Sequence, residues 1–157
     1  MEINETTMRS IIRVIGNAKH VWIIGDGGSA ALADHFACDL LKNCHVPAIS
    51  LCSNTALLTA LGNDYSFDDT FLIPVDILFK NGDILVVFST SGKSQNLINA
   101  AKIADNVISF IGGNEEWWER NTVGVAVLID GKDQMDLENK MLEICHAIAR
   151  ELQCVKQ

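Results

Sequence analysis

Ile84-Leu85-Val86-Val87-Phe88-Ser89-Thr90-Ser91-Gly92-Lys93-Ser94-Gln95-Asn96 is the stretch that decides the fold. An apolar strand runs into a turn crowded with hydroxyls, and an apolar-periodic helix follows, with Leu97 to Ala104 in its body. The first N–H groups of a helix lack partners and its dipole is positive there, so an anion is favoured, and Ser and Thr add neutral donors. A Ser-rich N-cap that only closes a helix is the simpler reading. Three consecutive hydroxyls, Ser89, Thr90 and Ser91, exceed what capping needs, so the turn reads as a phosphate cradle. Gly92-Lys93-Ser94 imitates the tail of a Walker A loop, but that motif requires Gly where Val87 stands. A nucleotide triphosphatase is therefore set aside, and no nucleotide cofactor is expected.

Outward from this turn, short apolar strands alternate with helical patterns. Residues 3–17 have Met8, Ile11, Ile12 and Ile15 at helical spacing; Val21-Trp22-Ile23-Ile24 is a buried strand, and Ser29 to Leu41 a helix. Ala48 to Leu51 is a second strand, followed by a helix through Leu57, Leu58 and Leu61 and another over Phe71 to Phe79 that stops at Asn81-Gly82. After the strand at 84–88 and its helix at 95–104 come strands at 107–111 and 124–129 and a final helix from Gln134 to Cys154. Continuous Val/Ile/Leu strands interleaved with helices imply a parallel sheet covered on both faces, a three-layer α-β-α sandwich with about five strands in flavodoxin-like order. No linker or repeat divides residues 1–157, which read as one domain with an N-terminal helix (1–18) and a C-terminal helix (134–154). Ligands of such sheets bind at the carboxyl ends of the strands, where strand order switches.

Bulk properties narrow the partners. Among 157 residues, 48% are hydrophobic and only 2 are Pro, as an ordered α/β protein requires. A formal charge of −8 leaves no basic stripe for nucleic acid, and any anionic ligand must be held by local dipoles and hydroxyls against the global field. The 5 cysteines form no C-x-x-C pair, which favours reduced thiols in the cytoplasm. The acidic, polar start and the lack of a membrane-length apolar run point to a soluble protein without membrane contact.

Several constellations can carry chemistry. Gly25-Asp26-Gly27-Gly28-Ser29-Ala30 is a glycine-rich strand-to-helix turn without the G-x-G-x-x-G spacing, and Ser29 is placed to point at a ligand. His35 and Asp39 share a helix face and can bind one metal or divide acid and base roles; a solvated face is the plainer alternative. Glu138 and His146 lie eight residues apart, about 12 Å along the final helix, so they could meet one small ion only from opposite sides at full stretch or from different subunits. Asn63-Asp64 reads as a helix end, Trp117-Trp118 as packing or an interface anchor, and His20 and His45 as surface residues.

Taken together, these segments resemble the SIS (sugar isomerase) fold, and within it the phosphoheptose isomerases. Gly25 to Ala30 with Asp34-His35-Phe36-Ala37-Cys38-Asp39-Leu40 is similar to that family's G-N-G-G-S-A … Q-H-F-A-A-E-L. Thr59 to Tyr65 is similar to T-A-I-G-N-D-Y, and Ser89 to Asn96 to S-T-S-G-N-S-x-N. The resemblance implies that Ser89, Thr90, Ser91 and Ser94 hold a sugar phosphate, with Ser29, Asn63 and Glu138 also contacting substrate. It implies catalytic roles for Asp39, His146 and Asp64, and a Zn2+ site at His35, Asp39, Glu138 and His146. It further implies a cytoplasmic homotetramer with sites near subunit interfaces, converting sedoheptulose 7-phosphate to a heptose 7-phosphate for bacterial surface sugars.

The chain departs from the family pattern at several points. Asp39 replaces Glu, drawing the carboxylate back by one methylene, and Glu138 replaces Gln, adding a charge that should tighten metal binding. Residues 113–123 and 133–137 diverge, and the N-terminal helix is shorter than the family's. Two rival readings follow: a non-catalytic SIS module that binds a phosphosugar or a protein, and an isomerase of another sugar phosphate.

Overall fold

A computed structural model describes residues 3–113 and 115–155. Five strands form one parallel sheet: β1 (Val21–Gly25), β2 (Ala48–Ser50), β3 (Ile84–Ser89), β4 (Val107–Ile111) and β5 (Gly124–Leu128), in the order β2-β1-β3-β4-β5. The three-layer sandwich expected from the strand pattern is what the chain forms. Among the described residues seven α-helices cover it: α1 (Glu5–Gly16), α2 (Gly28–Cys38), α3 (Thr55–Asp64), α4 (Leu72–Leu78), α5 (Gln95–Ile103), α6 (Glu115–Asn121) and α7 (Gln134–Val155). Among the described residues, no helix is long and apolar enough to cross a membrane.

Both faces of the sheet are buried, which is why the central strands read as unbroken apolar runs. Ile23, Val86, Phe88, Ile108 and Phe110 turn one way, onto α1, α2 and α7. Trp22, Ile24, Leu85, Val87 and Ile111 turn the other, onto α4, α5 and α6. Phe88 stacks on Phe110 at 5.2 Å between ring centroids and meets Phe36 of α2 edge-on at 6.1 Å. This aromatic column seats α2 over the middle of the sheet.

Three local features depart from the sequence reading. The helix expected over Ser29 to Leu41 is α-helical only to Cys38, and Asp39–Asn43 forms a π-helical turn. A single 3-10 turn stands at Phe67–Asp69. Helix α6 has no counterpart in the sequence pattern; its seven residues show no long apolar period, and Trp118 alone is its deep anchor. At β2, Ile49 is exposed, as befits an edge strand.

The amino ends of β1 and β3 are tied by one buried carboxylate. Trp22 Nε1–H and the Lys80 backbone N–H both donate to Asp83 Oδ2, at 3.0 and 2.9 Å, and His20 Nδ1 lies 3.0 Å from Oδ1. Burial alone would push the Asp83 carboxyl up, but these hydrogen bonds outweigh it and hold it below the usual carboxylate range. The ionised form therefore stabilises the fold above the unfolded value near pH 4, and the benefit is lost as pH falls through the depressed folded value. Asp83→Ala is expected to lose about 2–4 kcal/mol of stability at neutral pH by leaving the buried Trp22 indole N–H and the partly buried Lys80 N–H without their acceptor. In denaturant titrations its deficit against the parent should shrink below about pH 4; a deficit that persists unchanged in acid would assign the effect to packing instead.

Candidate functional site

Strand order reverses between β1 and β3, which pair in parallel from Val21 with Ile84 to Gly25 with Phe88. The turns leaving these two strands consequently stand side by side at the carboxyl edge. Asp26, Ser29, Ser89, Thr90, Ser91 and Ser94 line one cavity of about 260 Å³ there, with Gln134 of α7 at its wall.

The hydroxyl-rich turn after β3 is built to hold its shape. Ser89 Oγ accepts from the Gly92 N–H at 3.0 Å and Ser91 Oγ from the Lys93 N–H at 3.2 Å. Two of the hydroxyls thus shape the loop as acceptors while keeping their own O–H groups as donors. Gly92 has φ +65°, and a Cβ there would overlap the carbonyl oxygen of Gly113. Trp118, fully buried, donates its indole N–H to Gly92 O at 3.0 Å. The tryptophan pair, read as packing or an interface anchor, thus includes the brace of this loop. Ser94 is the N-cap of α5 but makes no side-chain bond to that helix, so its hydroxyl is not committed to capping.

The glycine-rich turn is arranged differently. Glu138 of α7 lies directly on Gly28, where a Cβ would collide with its carboxylate oxygens, and Gln134 Nε2 donates to Glu138 Oε1 at 3.2 Å. A carboxylate at the first residue of α2 is favoured by that helix's dipole. Beyond Asp26 a second cavity of about 520 Å³ opens, lined among others by Cys52, Leu58, Thr59, Phe67 and Phe71. The Cys52 thiol donates to Gly25 O at 3.3 Å, and burial pushes it up to about 11, so it stays protonated and is no nucleophile at neutral pH.

On the other side of Ser29, α2 and α7 bring His35, Asp39 and His146 together. The two Nε2 atoms are 2.9 Å apart, and Asp39 Oδ2 lies 3.3 Å from His35 Nε2 and 3.8 Å from His146 Nε2. The other Asp39 oxygen accepts from Asn43 Nδ2 at 3.0 Å, across the π-helical turn, which fixes the carboxylate's orientation. Two imidazole nitrogens and a carboxylate oxygen at these separations fit a tetrahedral ion, whose ligand atoms at about 2.0–2.1 Å stand roughly 3.3 Å apart. The three form a possible metal-binding site. The shorter Asp39 still reaches both rings.

Glu138, expected in that set, is not brought to it: its carboxylate is held over Gly28 by close packing and by Gln134. Asp64 also stands apart, exposed at the end of α3 and accepting from Asn63 Nδ2 at 2.8 Å. Sequence reasoning gave no role to Asp26 or Asn96. Asn96 is buried and donates to Asp26 Oδ1 at 2.8 Å, tying the two turns together. An acidic residue inside a glycine-rich anion turn was the legible signal.

Comparison with known proteins gives this arrangement a class. The SIS domain family matches residues 3–108, and the sheet with its two facing turns is the fold of that class. The chain is 35% identical over 146 residues to the phosphoheptose isomerase of Geotalea uraniireducens, covering 88% of this chain and 77% of that one. It superposes on the phosphoheptose isomerase GmhA of Neisseria gonorrhoeae with a TM-score of 0.83 at 30% identity, covering 96% and 87%. For a phosphoheptose isomerase of Francisella tularensis the TM-score is 0.81 at 26% identity, covering 94% and 85%. The chain belongs to the phosphoheptose isomerase family of SIS-domain proteins.

Gly92→Ala is expected to cost about 2–4 kcal/mol, because left-handed backbone and the Gly113 carbonyl both reject a side chain. A melting temperature within about 2 °C of the parent would show that the loop can shift freely and that its braces are not binding constraints.

Proposed function

We propose that the chain is an aldose–ketose isomerase that converts sedoheptulose 7-phosphate to a D-glycero-heptose 7-phosphate through an enediol. The observation that carries this reading is the convergence of His35, Asp39 and His146 one helix stretch away from the hydroxyl-lined cavity. Ser29 and His35 sit six residues apart on α2, about 9 Å along its axis. That separation suits a phosphate seated at one end and the reacting carbons of an extended seven-carbon sugar at the other.

In this mechanism the phosphate accepts hydrogen bonds from the hydroxyls of Ser29, Thr90, Ser91 and Ser94 and from the first N–H groups of α5. Binding energy at that remote end fixes the C1–C2 unit beside the histidines. Asp39 and His146 divide the proton traffic: one takes the proton from C1, leaving its electron pair to form the C1–C2 double bond while the carbonyl oxygen is protonated. Return of that proton to C2, while the C1 hydroxyl gives its own proton back to the group that protonated the carbonyl oxygen and collapses to a carbonyl, completes the aldose. The chemistry of the donor set supports Zn2+ at His35, Asp39 and His146; when bound, it would polarise the two substrate oxygens and stabilise developing negative charge. Asn63 and Asp64 are assigned to substrate contact and catalysis from the resemblance, and Glu138 to positioning the glycine-rich turn. The well-exposed Tyr65 and Phe67 beside them support assembly into a homo-oligomer, tetrameric as in the resemblance, whose subunits cover this edge. Residues 1–157 are proposed to act as one domain in the cytoplasm.

Isomerisation of sedoheptulose 7-phosphate is expected from the purified chain, to fall at least tenfold after chelation and to return on addition of zinc. No turnover in any of these states would overturn the isomerase reading. Ser91→Ala and Ser94→Ala are each expected to raise KM by about 5- to 30-fold with a smaller change in kcat, the loss of a hydrogen bond to a charged group. Unchanged KM in both variants would remove the cradle assignment.

A further inference from the structure

The turn after β1 places a carboxylate inside the cavity assigned to a dianion. Asp26 lines the 260 Å³ cavity together with Ser29 and Ser94, and it also borders the 520 Å³ cavity on its other side. It cannot swing away freely. Asn96, almost wholly buried, accepts the Leu97 N–H at 3.0 Å through its carbonyl oxygen, which directs its NH2 group onto Asp26 Oδ1 at 2.8 Å. The Ser94 hydroxyl stands near enough to Asp26 to favour its ionised form. A donor assigned to the phosphate therefore shares its place with a carboxylate that would repel the anion.

We propose that Asp26 is a proton-coupled specificity residue of the cradle: it takes up one proton from solvent as a dianionic phosphate or sulfate group seats. Protonation removes the like charge and converts one Asp26 oxygen into a donor toward the anion or toward Ser94. The inference rests on the cradle reading given above. It is supported by the direction in which burial already drives this group: upward from the usual carboxylate value, against the opposing hydrogen bonds of Asn96 and Ser94.

The surroundings offer little compensating charge. Facing Asp26 from the end of β2 is the Cys52 thiol, neutral at about 11, and Asp34 of α2 acts on that same thiol. Glu138 of α7 lies two residues along the turn, over Gly28. Lys93, exposed on the hydroxyl loop, is that loop's one cation, and Asn96 of α5 and Gln134 of α7 add neutral amides. With Asp34 and Glu138 adding negative charge, neutralising Asp26 is the direct route to admitting an anion.

The test uses inorganic sulfate, which stays a dianion between about pH 6 and about pH 8, so any proton taken up belongs to the protein. Sulfate dissociation constants are measured calorimetrically across that range for the parent and for Asp26→Asn, which restores the residue in the family motif. The parent should weaken by up to about tenfold per pH unit, the slope of one coupled proton. Asp26→Asn should bind at least about tenfold tighter at the upper end of that range, with a flatter profile and no proton uptake at Asp26. Asp26→Ser, equally unable to carry charge, must also flatten the profile, which separates charge from shape. Variants that bind with the parent's affinity and slope would overturn the Asp26 proposal alone. Failure of the folded parent and both variants to bind sulfate or sedoheptulose 7-phosphate would overturn the proposal and the cradle reading together.

Discussion

The parallel pairing of β1 with β3 is the constraint on which the site depends. Because strand order reverses there, the turns after both strands open to the same crevice and the crossovers leave on opposite faces. The pairing is registered residue by residue from Val21–Ile84 to Gly25–Phe88, with every residue of both strands buried. A slip by one residue would turn Ile23 and Phe88 out of one core layer and Trp22 and Val87 out of the other. The Asp83 carboxylate at one end and the Asn96–Asp26 bond at the other clamp the same pair of strands.

The second requirement is that α7 returns over α2. Met141, Cys145 and Ile148 bury one stripe of α7 in the layer that holds Phe36 and Leu40, and His146 is carried on the adjoining edge. Packing of apolar residues thereby sets the 2.9 Å approach of two polar rings that have no covalent reason to meet. The π-helical turn at Asp39–Asn43 lies at this junction, and Asn43 holds one carboxylate oxygen so that the other faces the histidines.

Much of this was legible in sequence because it rests on periodic, local signals. The strands announced themselves as apolar runs, and the hydroxyl turn as three consecutive donors between a strand and a helix. The His35–Asp39 pair followed from helical spacing. What stayed illegible depends on contacts between distant segments. Glu138 is placed by the absence of a side chain at Gly28, 110 residues earlier, and no spacing rule on α7 predicts that. Trp118 belongs to a helix of seven residues, too short for a period, and its role appears only where its N–H meets Gly92 O. The π-helical turn changes no residue pattern at all.

An acidic chain that accommodates an anion must separate its own carboxylates from the place the anion occupies. Here the separation is made by assigning each helix start a different partner. The first residue of α2 receives Glu138, which saturates the positive end of that helix from within the protein. The start of α5 is left to Ser94, whose hydroxyl makes no cap bond to its own helix and lines the hydroxyl-rich cavity. Asp39 is kept with the two histidine rings, 3.3 Å from His35 Nε2 and 3.8 Å from His146 Nε2. Only Asp26 remains inside the crevice with no cation hydrogen-bonded to it among the described residues; its neighbours Asn96 and Ser94 are neutral. Of the negative charges near the two turns, it is the one whose protonation state must change when a second anion arrives, which places control of binding in a residue that touches both cavities.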